Sequence, residues 1–177
     1  MPWIYLREIR IITLDDIERM KINVITIFPE IFEVPLNTGI LGRACRTGIV
    51  DMNIYDLRQF SDGKHGMVDD AAYRGGPGMV IRPDVVEKAV LSITKNASIY
   101  MPLVYLSPSG KSLNQQDLVH YSQGNGIIVL CGHFEGVDTR VIDSLGFEQI
   151  SIGDYVLAGG EVAAQVLVEG CVRLLPG

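Results

Sequence analysis

A chain of 177 residues, 47% hydrophobic and 20% charged, is long enough to bury one good core and has the composition of a globular domain, which argues against disorder. Its 15 Lys and Arg against 21 Asp and Glu leave a formal net charge of -6, a balance that taken alone argues against an RNA partner. The apolar stretches are too short to span a membrane, no signal-peptide pattern opens the sequence, and Cys45, Cys131 and Cys171 are odd in number without a C-x-x-C pair. The expectation is a cytoplasmic protein with no membrane contact, no disulfide framework and no structural metal site.

Residues 1–19 read as a charged leader, and one domain is expected over 20–177. The run that starts at Met20, Lys-Ile-Asn-Val-Ile-Thr-Ile-Phe-Pro, predicts a first strand closed by Pro29. Apolar runs rich in β-branched residues recur at 52–57, 103–107, 127–131 and 149–152. A helix is predicted from Pro83 to Leu91, with Val86, Ala89 and Val90 on one face. Ser112 is the predicted cap of a second helix over 113–121. A third, over 160–175, carries an apolar stripe of Ala163, Leu167, Gly170, Cys171 and Leu174, with Glu161, Gln165, Glu169 and Arg173 on another face. Strands alternating with helices that cross over them predict an α/β fold with a largely parallel sheet and helices on both faces.

Two nucleotide motifs fail on inspection. Gly110-Lys111-Ser112 follows a strand as a P-loop would, but the glycine required five residues earlier is Tyr105. Gly75-Gly76-Pro77-Gly78 contains no G-x-G-x-x-G, and Pro77 removes an N–H where that motif starts a helix. What remains are three strand-end segments rich in small residues: 106–110, 131–136 and 151–160. Ligands of α/β sheets sit outside the carboxyl ends of strands, so the three could converge on one pocket for a flat ligand; equally, they could be tight β-α turns, which want the same residues.

The strings Asp69-Asp70-Ala71-Ala72-Tyr73-Arg74-Gly75-Gly76-Pro77-Gly78-Met79, Leu106-Ser107-Pro108-Ser109-Gly110, Cys131-Gly132-His133-Phe134-Glu135-Gly136-Val137-Asp138 and Ser151-Ile152-Gly153-Asp154-Tyr155-Val156-Leu157-Ala158-Gly159-Gly160-Glu161 resemble the bacterial tRNA (guanine-N1)-methyltransferases. The likeness runs from about Met20 to Gly177, and the last two strings together are highly specific. The resemblance implies a knotted, SPOUT-type α/β methyltransferase whose C-terminal part forms a trefoil knot, an exception to the rule against threaded chains. It implies a homodimer with active sites at the subunit interface, S-adenosyl-L-methionine bound in the knot, and methyl transfer to N1 of the guanosine 3′ of the anticodon in tRNA. Cofactor contact is carried over to Tyr105, Leu106, Ser107 and Pro108, to Gly132, Phe134 and Glu135, and to Ser151, Ile152, Gly153, Asp154, Tyr155, Val156, Leu157, Gly159 and Gly160, most of them through backbone groups.

The sequence departs from the family's pattern at Arg74, commonly glycine; at Phe134, often tyrosine; and at Val162-Ala163-Ala164, where Leu-Pro-Ala is usual. Arg74 reads as a surface residue or an added phosphate contact. Phe134 keeps the ring and loses a hydroxyl.

Guanine N1 carries a proton at neutral pH, so methylating it calls for a base and for a cation to take the charge that spreads to O6. By resemblance Arg173 is that cation; read from the helix alone, it is an i,i+4 partner of Glu169. The family's catalytic aspartate lies in a linker after the helix and matches no residue here, and its helical tRNA-binding domain is likewise outside this sequence, so the chain alone is expected to be nearly inactive. Asp69, Asp70 and Asp138 occupy family positions, and the first two read equally as turn formers. A knotted methyltransferase acting on another RNA site, or a non-catalytic cofactor-binding module, are the alternatives.

Overall fold

The computed structural model describes residues 19–62, 66–71, 78–95 and 100–177. The proposed leader, apart from Arg19, and Arg74 with its neighbours 72–77 lie outside the described residues. Strand β1 (Met20–Thr26) ends three residues before Pro29, which opens a 3-10 turn leading into two short helices, α1 (Glu33–Asn37) and α2 (Gly39–Arg46). Then follow β2 (Val50–Asp56), a small antiparallel hairpin of β3 (Asp69–Ala71) and β4 (Met79–Ile81), and α3 (Pro83–Thr94). The remainder is β5 (Leu103–Ser112), α4 (Gln115–Ser122), β6 (Gly126–Cys131), α5 (Thr139–Leu145), β7 (Glu148–Ser151) and α6 (Glu161–Val172).

Five strands form one parallel sheet in the order β2-β1-β6-β5-β7. The period-2 alternation of side chains sends Ile22 and Val24 of β1, Ile127 and Val129 of β6, and Val104 and Leu106 of β5 to one face, where Leu41 and Ala44 of α2, Tyr121 of α4 and Ala164, Leu167 and Val168 of α6 cover them. Ile25, Ile128, Leu130 and Tyr105 point the other way, under Val86 and Val90 of α3 and Val141 and Ile142 of α5. With helices on both faces the inner strands are buried throughout, which is why β6 is an unbroken apolar run, Gly-Ile-Ile-Val-Leu-Cys.

The second helix starts later than the sequence predicts. Ser112 belongs to β5, paired with Ser151 of β7, and the cap of α4 is Asn114, whose side chain accepts from the N–H groups of Gln116 and Asp117 while Asp117 accepts from the Asn114 N–H, a complete capping box. Both residues are good caps, and the continuing β5–β7 ladder decides between them. α6 also differs: Glu161, expected on a solvated face, is buried, and so are Leu167 and Cys171.

Candidate functional site

Beyond Leu106, strand β5 slips register: Leu106 and Lys111 both pair with Ile150, so 107–110 bulge out at the carboxyl end of the sheet. Gly110 permits this, because a Cβ there would stand on the backbone of Gln149 and Ile150. The Ser107 and Ser109 hydroxyls, 2.9 Å apart, close the bulge on itself.

The second loop, 132–137, follows β6. Its tight turn is closed by Gly136 N–H donating to His133 C=O at 3.0 Å, and it is docked on β4 by Glu135 N–H to Met79 C=O and Ile81 N–H to Gly136 C=O, each 2.9 Å. From below, the Tyr105 hydroxyl accepts from the Val137 N–H at 3.3 Å; burial pushes this phenol's pKa up. Phe134 has φ of +60°, the one non-glycine residue in the left-handed region among the described residues, and its half-exposed ring stands at the lip. The rings of Phe28, His133 and Phe134 follow one another edge-to-face with centroids 5.0 and 5.5 Å apart.

The third loop, 151–160, runs back onto the second. Ser151 starts it by donating its hydroxyl to Gly153 C=O at 2.9 Å. It ends in an antiparallel bridge between Gly159 and His133, and Gly160 N–H donates to Gly132 C=O at 2.9 Å. A Cβ on Gly160 would lie 2.8 Å from the Cys131 Cα and 2.9 Å from the Gly132 nitrogen, so only glycine allows the crossing.

These loops enclose a cleft of about 360 Å³ at the carboxyl ends of β5, β6 and β7. Every residue carried over as a cofactor contact lines it except Asp154, which is exposed on the outer side of its loop. The wall also includes His133, Ser109, Gly136, Ile150, Ala158 and Ala163. His133 stands inside a string singled out from the sequence; Ile150 and Ala163 gave no signal beyond apolarity. Backbone groups and small side chains dominate, Glu135 is the one carboxylate on the wall, and no group of three or more His, Cys, Asp or Glu among the described residues could hold a metal ion.

Arg173 is elsewhere. It caps the C-terminal end of α6, exposed, with no ion pair to Glu169 among the described residues. A helix rising ~1.5 Å per residue sets it about 20 Å from Gly160 on the cleft wall. Asp138, the last acid of its string, caps α5 and pairs with Arg140.

A parallel sheet whose strand-end loops close on a backbone-lined cleft defines an α/β ligand-binding protein. Sequence comparison gives the particular kind: the family model described as tRNA (Guanine-1)-methyltransferase TrmD matches residues 20–177, and the chain belongs to that family. It is 51% identical over 164 residues to the tRNA (guanine-N(1)-)-methyltransferase of Ehrlichia canis (strain Jake), the match covering 89% of this chain and 67% of that relative. It is 49% identical over 163 residues to that of Ehrlichia ruminantium (strain Gardel) and 45% over 159 residues to that of Bradyrhizobium diazoefficiens, covering 66% and 62% of those relatives. The chain thus spans about two thirds of the length of the curated relatives it matches. No helix among the described residues is long and apolar enough to cross a membrane.

Proposed function

We propose that this chain is the S-adenosyl-L-methionine-binding domain, 20–177, of a cytoplasmic enzyme that methylates N1 of the guanosine 3′ of the anticodon in tRNA. The observation that carries the reading is the convergence of three loops, separated by up to 50 residues, on one cleft of a size suited to a nucleoside-sized ligand. The donor set fits: main-chain amides and carbonyls for an adenine edge, Leu106, Ile150 and Ala163 for its faces, and no cation to repel a sulfonium. The return of 151–160 onto the 132–137 loop, against Gly132 and His133, supports the trefoil knot of the resemblance.

S-adenosylmethionine, when bound, supplies an electrophilic methyl carbon. That methyl would pass to guanine N1, leaving the neutral thioether, once the N1 proton had gone to a base. Arg173 neutralises the charge that N1 deprotonation spreads to O6. About 20 Å from its own cleft, it does so in the cleft of a second copy. A homodimer is supported by the outer face of α6, where Val162 and Val166 are 55% and 47% exposed and the intervening Gln165 amide donates to the C=O of the exposed Ile31. Leu167 and Cys171 of the apolar stripe are not available for this, since both lie in the chain's own core.

Isothermal calorimetry with S-adenosylmethionine tests the cofactor assignment, and absence of heat at millimolar ligand with folded protein would end it. Tritium transfer from the labelled cofactor to a tRNA transcript tests the substrate. Replacing the guanosine next to the anticodon by adenosine should abolish incorporation; label that persists would indicate another RNA site.

A further inference from the structure

Thr26 ends β1 and Glu161 begins α6, 135 residues apart in sequence, and their side chains meet inside the protein. Glu161 is only 3% exposed. Its Oε1 accepts from the Thr26 hydroxyl at 2.8 Å and no ion pair holds the carboxylate among the described residues, while Oε2, with no protein donor, is not sealed from solvent, since no fully buried side-chain oxygen among the described residues lacks a partner. Buried carboxylates are normally paired with a cation or fully hydrogen-bonded, because removing a charge from water costs several kcal/mol, roughly, when nothing compensates it. The N-terminus of α6 offsets part of that cost, but an exposed acid in the first turn would serve the helix as well.

The carboxylate's position is informative. Oε2 lies against Gly159, and His133 Nε2 is 2.9 Å from where a Cβ on the same glycine would stand. Burial, and then the Glu161 charge, push the Cys131 thiol well up at the end of β6. Gly159, Gly160 and His133 are cleft wall, so a carboxylate without an ion pair among the described residues stands one layer behind that wall.

We propose that Glu161 is a specificity-determining residue that makes the cleft prefer a cationic ligand, favouring the sulfonium of S-adenosylmethionine over the neutral thioether left after methyl transfer. The inference rests on the methyl-donor reading above. Transfer removes the methyl together with the positive charge, so the attraction that helps the donor bind is cancelled in the product, which leaves more readily. Around Glu161, the ionisable groups that could mask this are His133, across Gly159, and Glu135, at the outer lip of the cleft.

The experiment is calorimetry on the 177-residue chain at pH 8 with S-adenosylmethionine, its neutral product S-adenosylhomocysteine, and the cationic amine analogue sinefungin. Glu161→Gln is expected to weaken both cationic ligands about tenfold while the neutral product stays within about twofold. Glu161→Met, apolar and of similar length, should reproduce the pattern. Equal losses for all three ligands would make Glu161 a purely structural residue and overturn the proposal, as would no loss at all. Failure of both variants to melt cooperatively would mean the fold itself requires the carboxylate, which also overturns it. If the unaltered chain binds none of the ligands, it is the cofactor reading that has failed, and the inference goes with it.

Discussion

At the scale of single residues, the cleft depends on where a side chain would strike backbone and where it would strike only another side chain. Gly160→Ala places a methyl on the main chain of Cys131 and Gly132, at the centre of the sheet's carboxyl end, and neither can move without breaking the ladder. A loss of ~1–3 kcal/mol in urea unfolding is expected, with cofactor binding abolished. In Gly153→Ala the methyl first meets the ring of Tyr155, which is exposed and can turn aside for the loss of one long hydrogen bond, from its hydroxyl to Ile152 C=O at 3.3 Å. That variant should unfold at the same urea concentration as the parent. Equal destabilisation by both would mean that the crossing at Gly160 is looser than its contacts indicate. Tyr105→Phe is a subtler probe, because it leaves the ring against Gly132 and removes only the hydroxyl that accepts from the buried Val137 N–H. An orphaned donor costs about 1–3 kcal/mol, so a comparable loss of stability is expected, together with weaker calorimetric affinity as the 132–137 loop slackens.

At the scale of elements, much of the sheet can be read from composition because both its faces are covered: β1, β5 and β6 are apolar runs that need no partner information to be recognised. The elements that escaped are those whose hydrophobic signal is too short to show a period. α2 buries only Leu41, Gly42 and Ala44, and β3 with β4 is a hairpin of three residues a side. α5 is seven residues long, and its marks are a capping aspartate and Gly146 at φ of +72°. The cap of α4 and the burial of Glu161 escaped for a different reason: each is decided by a partner distant in sequence, Ser151 in one case and Thr26 in the other. Likewise the cleft could be assembled from sequence only through the family's motifs, since spacing alone left its loops indistinguishable from turns.

Two helix starts give element-scale predictions. Asn114→Ala removes both capping acceptors of α4 and should cost ~1 kcal/mol in urea unfolding, with cofactor affinity unchanged because α4 takes no part in the cleft wall. At α5, hydrogen bonds from the Arg140 side chain hold the Asp138 carboxyl below its usual pKa, against an opposing effect of burial. A folded-state pKa below the unfolded one means stability that is complete at neutral pH, begins to fade near the unfolded value of about 3.9, and is gone below the depressed folded value. Asp138→Asn keeps the cap but not the charge. Its deficit in melting temperature relative to the parent should therefore be constant from pH 6 to 8 and shrink as the solution is acidified below about pH 4. A deficit that grows on acidification would assign the effect to some other group.

At the scale of the whole molecule, the two questions left by a single chain are how Arg173 reaches a reacting base and what covers the apolar outer face of α6. A second copy, in the proposed homodimer, would answer both. Val162 and Val166, one helical turn apart, are an exposed apolar pair on α6 that a dimer would bury, while Leu167, adjacent in sequence to Val166, points into the chain's own core. The neighbours therefore make opposite predictions. Val166→Glu adds a charge where the isolated chain is already open to solvent, so its circular dichroism should match the parent and it should still melt cooperatively, at a temperature lowered only by loss of the partner, but the charge would be desolvated at the proposed interface. Light scattering at micromolar concentration should then give close to the 19.5 kDa of one chain in place of twice that value. Leu167→Ala should leave the association state alone and instead cost about 2–5 kcal/mol of stability through the cavity it opens. If Val166→Glu stays dimeric, the copies meet on some other surface, and the route from Arg173 into a neighbouring cleft has to be sought there.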